Sequence, residues 1–88
     1  MKEQLKKFIK DNNLTFKEGT RNHDSTILSG YALHLGTQSM TDVMQCIEEV
    51  CPDSVNYREE FIPVFTFAKQ KGYGSWWAYE DNRKQFIL

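Results

Sequence analysis

The chain has 88 residues, eleven bases against twelve acids for a net charge of −1, and a 40% hydrophobic share that includes 14% aromatics. A chain this short is one domain with a thin core, because it buries only about 60–65% of its unfolded surface. The apolar share excludes disorder, and the charge excludes a globally basic nucleic-acid binder while leaving room for a local patch.

The charges are zoned. Residues 1–21 carry six bases and three acids, residues 22–57 carry five acids and no Lys or Arg, and the remainder has five bases and four acids. No run of about 18 apolar residues offers a membrane span. The opening Met-Lys-Glu-Gln-Leu lacks a signal peptide's apolar centre, so a cytoplasmic location is expected. Cys46 and Cys51 are the only cysteines. Five residues apart on one helix, their Cα atoms stand about 8.6 Å apart, beyond the ~7 Å that a disulfide bridges. Free thiols are expected.

Residues 2–12 read as a helix: Leu5, Phe8 and Ile9 form an apolar stripe, and Lys2, Lys6, Lys7 and Lys10 cover most of the rest. Asn12-Asn13 supplies a stop, since Asn tolerates the left-handed conformation. Leu14-Thr-Phe-Lys-Glu18 alternates apolar and polar and reads as a short strand. A polar stretch over residues 19–25 leads to Thr26–Leu35, the longest strand candidate. Its faces would be Ile27, Ser29, Tyr31, Leu33 and Leu35 on one side and Leu28, Gly30, Ala32 and His34 on the other.

Residues 40–51 form a second helix, with Met40, Val43, Met44, Ile47, Val50 and Cys51 in one stripe, Ser39 as N-cap and Pro52 closing it. Glu48 and Glu49 fall near its C-terminal end, where the helix dipole disfavours acids by about 0.3–1 kcal/mol each. Residues 57–71 pull two ways. Tyr57, Phe61, Val64, Phe65 and Ala68 share a helical stripe and Gly72 is a good stop, but Pro63 is unwelcome in a helix interior and Ile62–Phe67 has strand-like composition. The reading is a helix that kinks or begins at Pro63. Tyr73–Tyr79 and Lys84–Leu88, joined by Glu80-Asp-Asn-Arg83, read as an aromatic hairpin with Trp76 and Trp77 on opposite faces. The expected fold is therefore α+β, an antiparallel sheet with helices mainly on one face, in the order α-β-β-α-α-β-β.

Chemistry-bearing motifs are weak. Asn22-His-Asp-Ser25 gathers nucleophile, base and acid types, but neighbours on a loop point apart and such runs are ordinary turns. His34 has no companion at ligand spacing. Cys46 and Cys51 diverge by 140° around a helix, and no phosphate-loop or dinucleotide pattern occurs. The expectation is no catalytic, cofactor or metal site.

Binding is better supported. Trp76, Tyr73 and Arg83, with Lys84 beside them, are the candidate partner contacts, because Trp, Tyr and Arg are enriched at protein-recognition hot spots. The preferred expectation is a non-catalytic module that binds another protein, as an inhibitor or regulator, by a bare analogy with phage-encoded inhibitors of similar size. One rival is a binder of single-stranded nucleic acid using the same aromatics and the Lys-rich first helix. The acids Glu59, Glu60, Glu80 and Asp81 speak against it by repelling phosphate. The other rival is a small enzyme using His23, Asp24 or His34.

Overall fold

The computed structural model describes residues 1–37 and 39–72. They form four helices: α1 (Lys2–Asp11), α2 (Arg21–His34), α3 (Met40–Val50) and α4 (Tyr57–Lys71). Among the described residues there is no strand, so the α+β expectation and its antiparallel sheet are overturned.

The helices pack as two pairs, α1 on α3 and α2 on α4, with the α1–α2 and α3–α4 contacts smaller. In the first pair Leu5 and Ile9 of α1, and Val43 and Ile47 of α3, are all but fully buried, as their predicted apolar stripes require. Cys46, outside the predicted stripe, is fully buried beside them. Ser39 caps α3 as expected, its Oγ accepting the Asp42 N–H at 3.3 Å. In α4, Tyr57, Phe61, Phe65 and Ala68 are buried at i, i+4, i+8 and i+11. The helix begins at Tyr57 rather than at Pro63, and ends at Gly72 in the left-handed conformation. Pro63 is tolerated because it faces solvent, where water can bond the Glu59 carbonyl that its missing N–H leaves without a helical donor.

The two strands predicted within the described residues fail for identifiable reasons. The alternation at Leu14-Thr15-Phe16 is real, since Leu14 and Phe16 are buried and Thr15 and Lys17 exposed. No neighbouring strand makes it. The Asn13 N–H bonds Lys10 O at 3.2 Å and the Leu14 N–H bonds Ile9 O at 3.0 Å, with Asn13 at φ 54°. That is the Schellman closure of α1, which turns Leu14 inward. The next two N–H groups, of Thr15 and Phe16, both bond Oδ2 of Asp24, at 3.1 and 3.0 Å. A carboxylate takes the place of a ladder. Phe16, at φ 54°, drives its ring into the core, edge-on to Tyr57 with centroids 6.4 Å apart.

The second predicted strand, Thr26–Leu35, is the body of α2. Read at helical period, Leu28, Ala32 and Leu35 form one row and Ile27 and Tyr31 another, with Ser25 and Ser29 beside them. Tyr31 stacks on Phe8 of α1 at 3.9 Å and 7°. The helix starts inside the run assigned to a turn and ends in a second Schellman closure. There the Gly36 N–H bonds Leu33 O at 3.0 Å and the Thr37 N–H bonds Ala32 O at 3.2 Å, with Gly36 at φ 97°. The buried Ser25, Ser29 and Ala32 are small, and small side chains allow a neighbouring helix to approach closely.

No described helix is long and apolar enough to cross a membrane.

Candidate functional site

The fold separates the residues from which an enzyme would have been built. His23 and His34 are both exposed on α2, and eleven residues of helical rise place them about 16 Å apart along its axis. Asp24 is buried, and its carboxylate is occupied by the Thr15 and Phe16 N–H groups. Ser25 is fully buried next to it. Successive helical positions turn by about 100°, so nucleophile, base and acid types diverge. Among the described residues, no three His, Cys, Asp or Glu side chains gather as metal ligands would.

The two cysteines are free and occupied locally. Cys46 Sγ donates to Lys2 O at 3.7 Å and Cys51 Sγ to Leu14 O at 3.2 Å. Burial pushes both thiols above their ordinary pKa, which disfavours the nucleophilic thiolate.

The charge zones find each other across the α1–α3 pair. Lys6 Nζ lies 2.9 Å from a Glu49 carboxylate oxygen and 3.3 Å from one of Glu3. Lys2 Nζ donates to Gln45 Oε1 at 2.7 Å and stands 4.0 Å from Asp42. Lys7 pairs within α1 with Asp11 at 2.6 Å. The hydrogen bond from Lys6 holds the Glu49 carboxyl below its ordinary pKa, and the bonds to Glu49 and Glu3 hold Lys6 above its own. Glu48 is met by α4: it pairs with Arg58 and accepts the Tyr57 hydroxyl at 2.8 Å. Each acid in the last turn of α3 that the helix dipole disfavours thus has a cation from another helix. A sequence with a basic start and a base-free acidic middle signals this complementarity. Read one helix at a time, the lysines look like a solvated face.

The described surface carries several grooves. One of about 320 Å³ runs between α2 and α4, lined by Asn22 and Thr26 from α2 and by Glu60, Pro63, Val64 and Phe67 from α4. Asn22 Nδ2 donates to Glu60 Oε2 at 3.3 Å across its end. The Lys71 ammonium lies 5.6 Å from the Phe67 ring centroid. A second groove of about 290 Å³ lies over the Glu48–Arg58 pair between α3 and α4. A third, about 220 Å³, flanks Cys51, Pro52 and Asp53 where the α3–α4 loop meets Thr15 and Lys17. The residues singled out from sequence for partner binding, Tyr73, Trp76, Arg83 and Lys84, lie outside the described residues, as does the hairpin that carries them.

Compared with protein-family models, curated proteins and solved structures, the chain matches none.

Proposed function

We propose that this chain is a small non-catalytic interaction module whose partner is another protein, which it inhibits or regulates. The observation that supports protein over nucleic acid is the pairing of Lys6 with Glu49 and of Lys2 with Asp42 across α1 and α3. Affinity for nucleic acid comes from cations that displace counterions on phosphate. Lysines already facing carboxylates must break those pairs first, and would then bring Asp42 and Glu49 up against the phosphates. Tyr73, Trp76, Arg83 and Lys84 are proposed as contact residues on their chemical type. A cytoplasmic location goes with this reading, supported by two cysteines that are both free thiols.

Affinity capture on the immobilised chain at physiological salt, with and without nuclease, tests the proposal. The expected result is a protein retained in stoichiometric amount after nuclease treatment and reduced by Trp76→Ala. Capture that nuclease abolishes would overturn it, as would saturable binding of a single-stranded oligonucleotide that weakens steeply with salt.

A further inference from the structure

We propose that the α2–α4 groove docks a partner segment presenting an apolar side chain with a lysine or arginine three or four residues away on a helix. The proposal rests on the protein-binding reading and adds the surface and the chemistry of the ligand.

Size argues first. About 320 Å³ of open groove is at the bottom of the range for pockets that enclose a small molecule, yet ample for side chains entering from outside. From Glu60 to Phe67 the α4 wall runs seven residues, about 10 Å or two turns, the span over which a docked helix places successive anchors. The wall is apolar toward its C-terminal end, where Pro63, Val64 and Phe67 line it, and Ile62 beside it is 43% exposed.

Charge then selects the ligand. The N-terminal end of the groove holds Glu60, with exposed Glu59 in the same turn. Among the described residues neither has a cation within ion-pair distance, and Glu60 receives only the Asn22 amide at 3.3 Å. Glu48 and Glu49 of α3 are each met by a cation from another helix. A carboxylate at one end of an apolar groove calls for a cation next to an apolar anchor. An acidic or uniformly apolar segment would leave it unmatched.

Selecting a displayed library of random peptides against the full chain tests this. Enriched peptides should carry Leu, Ile, Phe or Met with Lys or Arg three or four positions away. Glu60→Lys should weaken them at least tenfold, Glu60→Gln less, and Val64→Asp should abolish binding. Replacing the peptide's cation by Glu should restore binding to the Glu60→Lys variant. Glu60 lies at the rim, so that variant is expected to fold, and its thermal melt verifies it. Peptides that bind wild type and Glu60→Lys equally, or that are acidic, would remove the groove as the docking surface while leaving the protein-binding reading intact. Absence of any enrichment would also overturn the groove. Affinity capture decides the broader reading separately.

Discussion

The α1–α3 pair and the α2–α4 pair solve the same packing problem with different materials. In α1 and α3 the apolar stripe is narrow, the rest of each helix is charged or polar, and the flanks are joined by lysine–carboxylate pairs. In α2 and α4 polarity is mixed around the helix. Serines, an aspartate and a glycine are buried in α2, while Ile62 and Phe67 of α4 remain about half exposed. The first pair is closed, with Lys2, Lys6 and Lys7 and the acids of α3 paired within the molecule and only Lys10 of its lysines left to solvent among the described residues. The second keeps Ile62, Pro63 and Val64 at its outer side beside Glu59 and Glu60, which meet no cation among the described residues, and this makes it the better place to look for a partner. Sharp amphipathic contrast marks a helix whose role is structural; blurred contrast marks one with two demands on its surface.

The comparison supposes that both pairs share one core, and the largest substitutions test that. Phe61→Ala in α4 should cost about 3–5 kcal/mol and Ile47→Ala in α3 about 2–5 kcal/mol, since both side chains are fully buried. Each should shift one common urea transition. Two separated transitions, each sensitive to only one substitution, would show two independent pairs.

Asp24 fastens the α1–α2 connection to the second pair. Asp24→Ala strands the buried Phe16 N–H and should cost about 1–3 kcal/mol. Asp24→Asn, whose side-chain carbonyl can still accept, should cost less. Equal losses in denaturant melts would mean that the negative charge, rather than the acceptor geometry, holds the loop.

The third effect has the opposite sign. Ser25 and Ser29 are fully buried, and among the described residues neither Oγ has a hydrogen-bond partner. A buried hydroxyl left without a partner costs about 1–3 kcal/mol, so Ser25→Ala and Ser29→Ala should each raise stability, by about 1 kcal/mol. A loss of similar size would show that each hydroxyl is satisfied, by a water or by the carbonyl one turn back, and that α2 and α4 pack around a polar seam.

The same contrast explains what could be read from the sequence. α1 and α3 are legible because a one-sided stripe has a single interpretation, and Ser39 and Asn12-Asn13 mark their ends. α4 is legible in its stripe and in its stop at Gly72, but Pro63 and the strand-like composition of Ile62–Phe67 obscure its start at Tyr57. α2 is not legible. Residues Thr26–Leu35 divide as readily into two faces at period 2 as into helical rows, and small buried residues blur the helical period. Leu14-Thr15-Phe16 could not be told from a strand either, because the decisive partner, Asp24, lies eight residues further on in another element. The charge pairing was written in the zones, but recognising it needs α1 beside α3. The α2–α4 groove was beyond reach, since it exists only once α2 is known to be a helix lying against α4.

The smallest effect asks how much the charge stitching of the first pair contributes. Glu49 is held below its ordinary pKa by Lys6, so its contribution is present above the ordinary carboxylate range and is lost as pH falls through the lowered folded value. Lys6 is held above its ordinary value by Glu49 and Glu3, so its contribution is present below the ordinary lysine range and is lost as pH rises through the raised value. Between those limits lies a plateau that includes neutral pH. Both groups are solvated, so the coupling is small and screened by salt. Lys6 also pairs with Glu3, so one substitution cannot isolate the cross-helix bond. A double-mutant cycle of Lys6→Met and Glu49→Gln does, because the Glu3 pair is absent from both Lys6 variants and cancels. The coupling in urea midpoints should be favourable at pH 7 in low salt, shrink in 1 M salt and decline as pH falls through the lowered folded pKa of Glu49. A coupling indifferent to both salt and acid would mean that it is not carried by charge, and that the first pair is closed by packing alone.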